Sequence, residues 1–164
     1  MKKAIYPGTF DPITFGHIDL IKKSLNIFDQ VIVAVSDGNT KNYLFDANER
    51  EHLIKKALFS DLKFSKKKII VTSFKTLTTD FCKKMKSNVI IRGLRATSDF
   101  EYEFQLATMN RSLAPNIESI FLTPKETLIY VSSSLIKEIS DLKGDISKFV
   151  HPVVEKALKA KLQT

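Results

Sequence analysis

Three short runs in this chain gather residue types suited to handling phosphate. The first is Tyr6-Pro-Gly-Thr-Phe-Asp-Pro-Ile-Thr-Phe-Gly-His17. Its last part, Thr14-Phe-Gly-His17, delivers an imidazole to the start of an apolar-periodic stretch. N–H groups in the first turn of a helix lack partners and face the positive end of the helix dipole, so anions are favoured there. A histidine at that place can donate a hydrogen bond to a phosphate oxygen, and Gly16 lets backbone and ligand approach closely. The second run, Arg92-Gly-Leu-Arg95, offers two permanently charged forks that match phosphate oxygens. The third, Ser132-Ser-Ser134, offers hydroxyls beside N–H groups at another helix start. Lys41, after a Ser-Asp-Gly-Asn-Thr loop, is a further candidate cation. Together they point to chemistry on a phosphate ester.

Each group also has a plainer use. A lone histidine often serves packing, and serine is the commonest helix cap. The arginines could form surface ion pairs with Asp99, Glu101 or Glu103. Asp11, just before Pro12, reads as a turn-forming or bracing residue rather than a base. Two familiar phosphate loops are missing: the chain has neither Gly-x-x-x-x-Gly-Lys-Ser/Thr nor Gly-x-Gly-x-x-Gly. No Cys/His cluster has metal-ligand spacing, and Cys82, the single cysteine, reads as an ordinary buried side chain.

The elements that must position these groups alternate. Ala4-Ile5-Tyr6, Val31 to Val35, Lys68 to Thr72, Asn88 to Ile91 and Ser119 to Leu122 are apolar runs of the kind found in strands buried on both faces. Between them lie helical patterns. Ile18, Ile21, Leu25 and Phe28 form one stripe, and Asp46-Ala-Asn-Glu49 is a capping box opening a helix with Leu53, Ile54, Ala57 and Leu58 on one side. Further helices are expected over Thr79 to Met85, Ser98 to Leu113, a segment capped by Ser132 or Ser133 with Gly144 past its end, and Val153 to Leu162. The expected fold is α/β: a Rossmann-like, doubly wound, five-stranded parallel sheet with helices on both faces, in a single domain spanning 1–164. Such sheets bind ligands beyond the carboxyl ends of their strands, and the three runs and the Lys41 loop all follow strands.

The net charge of +8 suits an anionic partner. The excess is lysine scattered in pairs such as Lys22-Lys23 and Lys83-Lys84, with no basic–aromatic motif, so no nucleic-acid partner is expected. A nucleic-acid-binding module, the competing class, would bind with steep salt dependence. No apolar run approaches the roughly 20 residues that cross a bilayer, and Ala4-Ile5-Tyr6 is too short for a secretion signal. A cytoplasmic protein with no membrane partner is expected.

Taken together, the motifs resemble the nucleotidylyltransferase superfamily, and within it the bacterial phosphopantetheine adenylyltransferases. The matching text is Tyr6 to His17, Ile91-Arg-Gly-Leu-Arg-Ala96, Asp99-Phe-Glu-Tyr-Glu103 with Met109-Asn110, and Ser132-Ser-Ser-Leu-Ile-Lys-Glu138. The resemblance implies transfer of AMP from ATP to 4′-phosphopantetheine, giving dephospho-coenzyme A and pyrophosphate. It implies Mg²⁺, a homohexamer, and feedback inhibition by coenzyme A; with no clear protein carboxylate pair for the metal, Mg²⁺ is expected through the nucleotide phosphates. It places Thr9, Lys41, Thr78 and Arg92 against phosphopantetheine. Thr9, Phe10, His17, Gly93, Leu94, Arg95, Glu103, Leu128, Ile129, Tyr130, Val131, Ser132, Ser133 and Ser134 would contact ATP. His17, Lys41 and Arg95 would be the catalytic set. Phe15, Thr78 and Leu128 depart from the family's usual residues. Nicotinate-mononucleotide adenylyltransferases and cytidylyltransferases share the Thr/His-x-Gly-His and serine-rich logic; the Arg-Gly-Leu-Arg and Asp-Phe-Glu-Tyr-Glu runs favour phosphopantetheine.

Overall fold

The computed structural model describes residues 1–38, 42–95 and 97–162, with the backbone alone at 97 and 98. Each apolar run forms a strand: β1 (Lys3–Gly8), β2 (Gln30–Ser36), β3 (Ile69–Phe74), β4 (Val89–Gly93) and β5 (Glu118–Leu122). They form one sheet in the order β3-β2-β1-β4-β5, parallel throughout. The chain starts in the middle, winds outward through β2 and β3, then returns to the other side of β1. The winding therefore reverses between β1 and β4, where a crevice opens at the carboxyl edge.

The period of two along each strand sorts side chains into two cores. Ala4, Tyr6, Val31, Val33 and Val35 enter the larger one, while Ile5, Ile32, Ala34 and Ile90 enter the smaller. The larger core is closed by α1 (Phe15–Ser24), α2 (Ala47–Lys55), α5 (Ser133–Asp141) and α6 (Pro152–Leu162). The smaller is closed by α3 (Thr78–Met85), through Phe81 and Cys82, and by Ala114 and Ile117 just after α4 (Thr97–Leu113). No described residue of α4 is buried, which sets that helix apart.

Local chemistry explains most boundaries. Thr14 caps α1, and Asp46 caps α2 in a reciprocal box with Glu49, as its sequence predicts. The α1 stripe was expected to run on to Phe28, but the helix ends at Ser24, whose buried hydroxyl donates to the Leu20 carbonyl. Phe28 still reaches the core because its N–H bonds the Ser24 carbonyl. Beyond α2 the chain continues as a π-helical stretch, Lys56–Asp61, with Ala57 and Leu58 fully buried. Past α5 the left-handed residue is Lys143, with φ 61°, not Gly144. Gly144 is required for space: a Cβ there would stand 2.6 Å from Ile139 Cγ2. A 3₁₀ turn, Glu126–Leu128, was not expected from the sequence.

Candidate active site

The loop leaving β1 is built around buried groups. Phe10, 1% exposed and with φ 48°, sets its ring edge against Tyr6 and His17, with centroids 5.4 and 5.1 Å away. Asp11 accepts the N–H groups of Leu44 and Phe45 at 3.0 and 2.9 Å and pairs with Lys137 at 2.8 Å. It therefore braces the loop, with all three donors converging on a carboxylate that is 3% exposed.

Helix α1 then presents His17 in its first turn. The Thr14 N–H donates to His17 Nδ1 at 3.0 Å, and the His17 N–H returns to Thr14 Oγ1 at 3.4 Å. An Nδ1 that accepts from a main-chain N–H cannot carry the proton of a neutral ring, so the proton sits on Nε2. Burial, reinforced by the charge of Arg95, pushes the imidazole pKa down to about 4. At neutral pH His17 is an uncharged donor through Nε2. Burial also raises the Tyr6 phenol well above its ordinary range, which keeps it protonated.

Two arginines leave the end of β4. The Arg92 guanidinium donates to both Glu103 carboxylate oxygens, edge to edge, through Nε and Nη2, the latter at 2.7 Å. Arg95 Nε pairs with Asp99 at 3.2 Å, and its Nη1 donates to the Val131 carbonyl at 3.2 Å. The ion partners open to a structural reading are thus in place, yet both arginines also line the cavity described below. Gly93 between them permits close packing: a Cβ there would lie 2.6 Å from Leu20 Cδ1. At the start of α5, Ser132 caps the helix by accepting the Leu135 N–H, and the Ser133 hydroxyl donates to the Pro12 carbonyl at 2.7 Å. That last bond ties the serine run to the β1 loop.

These pieces enclose a cavity of about 430 Å³ at the carboxyl edge, over the reversal point. Among the residues singled out from sequence, Thr9, His17, Thr78, Arg92, Gly93, Arg95, Glu103, Val131, Ser132, Ser133 and Ser134 line it. Phe10 packs behind His17 rather than on the wall. Leu94 follows β4 with its N–H on the Leu122 carbonyl. Leu94, Leu128, Ile129 and Tyr130 are not among the residues that line the cavity; Leu128 leans on the larger core and Tyr130 is 84% exposed. Lys41 lies outside the described residues. A neighbouring cavity of about 290 Å³ shares Thr9, Ser133 and Ser134 and adds Lys137.

Residues 5–139 match the cytidylyltransferase-like family. The chain is 65% identical over 164 residues to the phosphopantetheine adenylyltransferase of Pelagibacter ubique (strain HTCC1062), covering 99% of this chain and 100% of that protein. It is 52% identical over 161 residues to the phosphopantetheine adenylyltransferase of Hahella chejuensis (strain KCTC 2396), covering 97% and 96%. This chain belongs to the phosphopantetheine adenylyltransferase family. Its fold is shared more widely. Plasmodium falciparum nicotinic acid mononucleotide adenylyltransferase, solved with NaAD, superposes with a TM-score of 0.71 at 21% identity, over 98% of this chain and 96% of that one.

Several residues outside the cavity hold the phosphate-handling runs in place. Asp19, 8% exposed, accepts the Lys125 N–H at 2.9 Å and so ties α1 to the loop after β5. Lys137 reaches Asp11 from α5. Arg50 is fully buried beneath the β1 loop. Only Lys137 had a local signal, standing one turn into the helix that follows the serine run. Of the departures, Phe15 packs partly against the core with its N–H on the Phe149 carbonyl, and Thr78 lines the cavity at the start of α3.

Proposed function

We propose that the protein transfers AMP from ATP to 4′-phosphopantetheine, giving dephospho-coenzyme A and pyrophosphate. The observation that carries this reading is a convergence. The His17 imidazole, the Arg92/Arg95 pair and the Ser132–Ser134 run face one cavity, in a chain 52–65% identical over nearly its whole length to proteins named for this reaction.

The mechanism follows from the charges. The acceptor brings its own nucleophile, a phosphate oxygen that attacks the α-phosphorus of ATP. The bond from that phosphorus to the β-phosphate bridging oxygen breaks, and pyrophosphate leaves with the electron pair. No protein nucleophile is required. The protein's task is to hold two polyanions in line and to meet charge where it grows. Arg92, with Lys41 and Thr9, would hold the acceptor phosphate. Arg95, the serine hydroxyls and the N–H groups opening α5 would hold the triphosphate. Neutral His17 donates through Nε2 to an α-phosphate oxygen. A neutral donor cannot quench the acceptor's charge before attack, and its hydrogen bond strengthens as charge builds in the transition state.

The family implies magnesium. Among the described residues no three His, Cys, Asp or Glu side chains stand together as a metal cradle. The described residues by themselves do not form a site for Mg²⁺, and the ion would travel with the nucleotide phosphates, where it would offset their charge.

Exposed α4 favours self-association, and the family resemblance puts the number of copies at six. On this helix, which has no buried described residue, Phe100 and Phe104 are 46% and 56% exposed on one side and Met109 and Leu113 are 59% and 51% exposed on the other, apolar area suited to further copies of the chain. Coenzyme A contains the acceptor's own pantetheine arm and would compete for its place as a feedback inhibitor. A cytoplasmic setting suits these substrates; no described helix is long and apolar enough to cross a membrane. Pyrophosphate release with ATP tests the function: 4′-phosphopantetheine should support turnover, and nicotinate mononucleotide should not. The reverse preference would refute the reading.

A further inference from the structure

One buried arginine takes over from the sheet's own hydrogen bonds where β1 and β2 part. The β1–β2 ladder runs from Lys3 opposite Gln30 to Gly8 opposite Val35. The next two residues, Thr9 and Ser36, line the cavity. Their carbonyl oxygens both accept from Nη1 of Arg50, each at 2.8 Å. Arg50 projects from α2 and is 0% exposed. Its Nε donates to the carbonyls of Phe45 and Asp46 at 3.0 and 3.3 Å, and its Nη2 to Asp37 Oδ1 at 3.1 Å. The Tyr43 ring covers the guanidinium at 4.0 Å.

A buried charge is costly unless its donors are met, and here all three nitrogens are. Ion pairing alone does not explain the arrangement, because only one carboxylate is involved and the other four acceptors are main-chain carbonyls from three separate stretches of chain. Such a hub fixes backbone positions. A planar fork with donors at fixed angles can do this, whereas a single ammonium cannot span the same set.

We propose that Arg50 is a positioning residue that sets the spacing of the Thr9 and Ser36 main chains, and through it the shape of the acceptor side of the cavity, without touching substrate. This rests on the adenylyl-transfer reading, which puts the acceptor against Thr9 and Thr78. Ser36, Phe74 and Thr78 come from β2, β3 and α3, whereas Arg95 and the serine run belong to the β4 and α5 side. Thr9 is shared with the nucleotide, but Ser36 stands with Phe74 and Thr78 away from Arg95 and the serine run, so a disturbance at Arg50 falls more on the acceptor than on ATP.

The test is Arg50→Lys, which keeps the charge and loses the fork. Misplacement by about 1 Å can cost about 10²-fold, so a rise of at least about tenfold in KM for 4′-phosphopantetheine is expected, with a clearly smaller rise, about threefold or less, in KM for ATP. A residue serving stability alone would reduce the active fraction and lower kcat while leaving both KM values in place. Folded Arg50→Lys with both KM values unmoved, or both raised equally, overturns the proposal. Should that variant not fold, Asp37→Asn decides, because it loosens one end of the guanidinium and leaves the carbonyls in place. It should raise the acceptor KM about threefold and the ATP KM less; no change, or an equal change in both, overturns the proposal. An inactive parent protein would instead refute the adenylyl-transfer reading itself, so the two failures are distinguishable.

Discussion

Replacing His17 by alanine removes one preorganised donor and leaves the rest of the cavity standing. The Thr14 hydroxyl still accepts the main-chain N–H of residue 17, so α1 keeps half of its capping box. Loss of one such donor costs about 10²–10³-fold in turnover, or about 3–4 kcal/mol of transition-state stabilisation. KM for ATP should change far less, because a neutral imidazole adds little to ground-state binding of a polyanion held by arginines. The same residue leaves a signature in acid. Folded His17 titrates near 4 against an ordinary 6.5. Between those values the unfolded chain binds a proton that the folded chain refuses, so stability falls as pH falls. The difference corresponds to about 3 kcal/mol of stability, fully present above pH 6.5 and lost by pH 4. The assay pairs steady-state pyrophosphate release with urea unfolding from pH 4 to 8, for parent and His17→Ala. The variant should be slow at every pH and should lack part of the parent's acid-side loss of stability. Turnover within threefold of the parent would refute the donor role. A parent activity profile with a His17-dependent inflection near 6.5 would refute the neutral tautomer.

The other predictions concern neighbouring groups. Arg92→Ala removes a charge-assisted contact of about 1.5–3 kcal/mol and should weaken 4′-phosphopantetheine about 10–100-fold; an equal loss with unphosphorylated pantetheine would contradict a phosphate contact. Gly16→Ala places a Cβ no closer than 3.5 Å to protein but on the cavity wall, so thermal stability should hold or rise while KM for ATP rises about tenfold; a variant with parental KM would show that this space is unused. Cys82 is 0% exposed with its thiol pushed up to about 11 by burial, so native protein should resist thiol reagents at pH 8 and Cys82→Ser should stay active; rapid labelling of the folded enzyme would contradict that burial.

Much of this architecture can be read in short windows of the chain. Five apolar runs become the five strands, and the Asp46/Glu49 box opens α2 where its spacing says it should. These signals are local because strand and helix periods, and caps, involve residues only a few positions apart. The phosphate-handling runs were legible for a related reason. Parallel strands joined by right-handed crossovers put every loop that follows a strand on the same edge. The edges of helices were less legible. Whether α1 continues past Ser24, or α2 widens into a π-helical turn, depends on what each side chain meets across the core.

The sequence by itself determined the parts list: which segments are strands, which turn carries the imidazole, and which residues can face a phosphate. Only the tertiary structure decided who holds whom. Lys137 meets Asp11 across 126 positions and Ser133 meets Pro12 across 121, while Arg50 finds Thr9 across 41. No period or spacing encodes such pairs, because their energy exists only once the sheet has closed, water has left, and a buried donor must find whichever acceptor the fold has brought within reach.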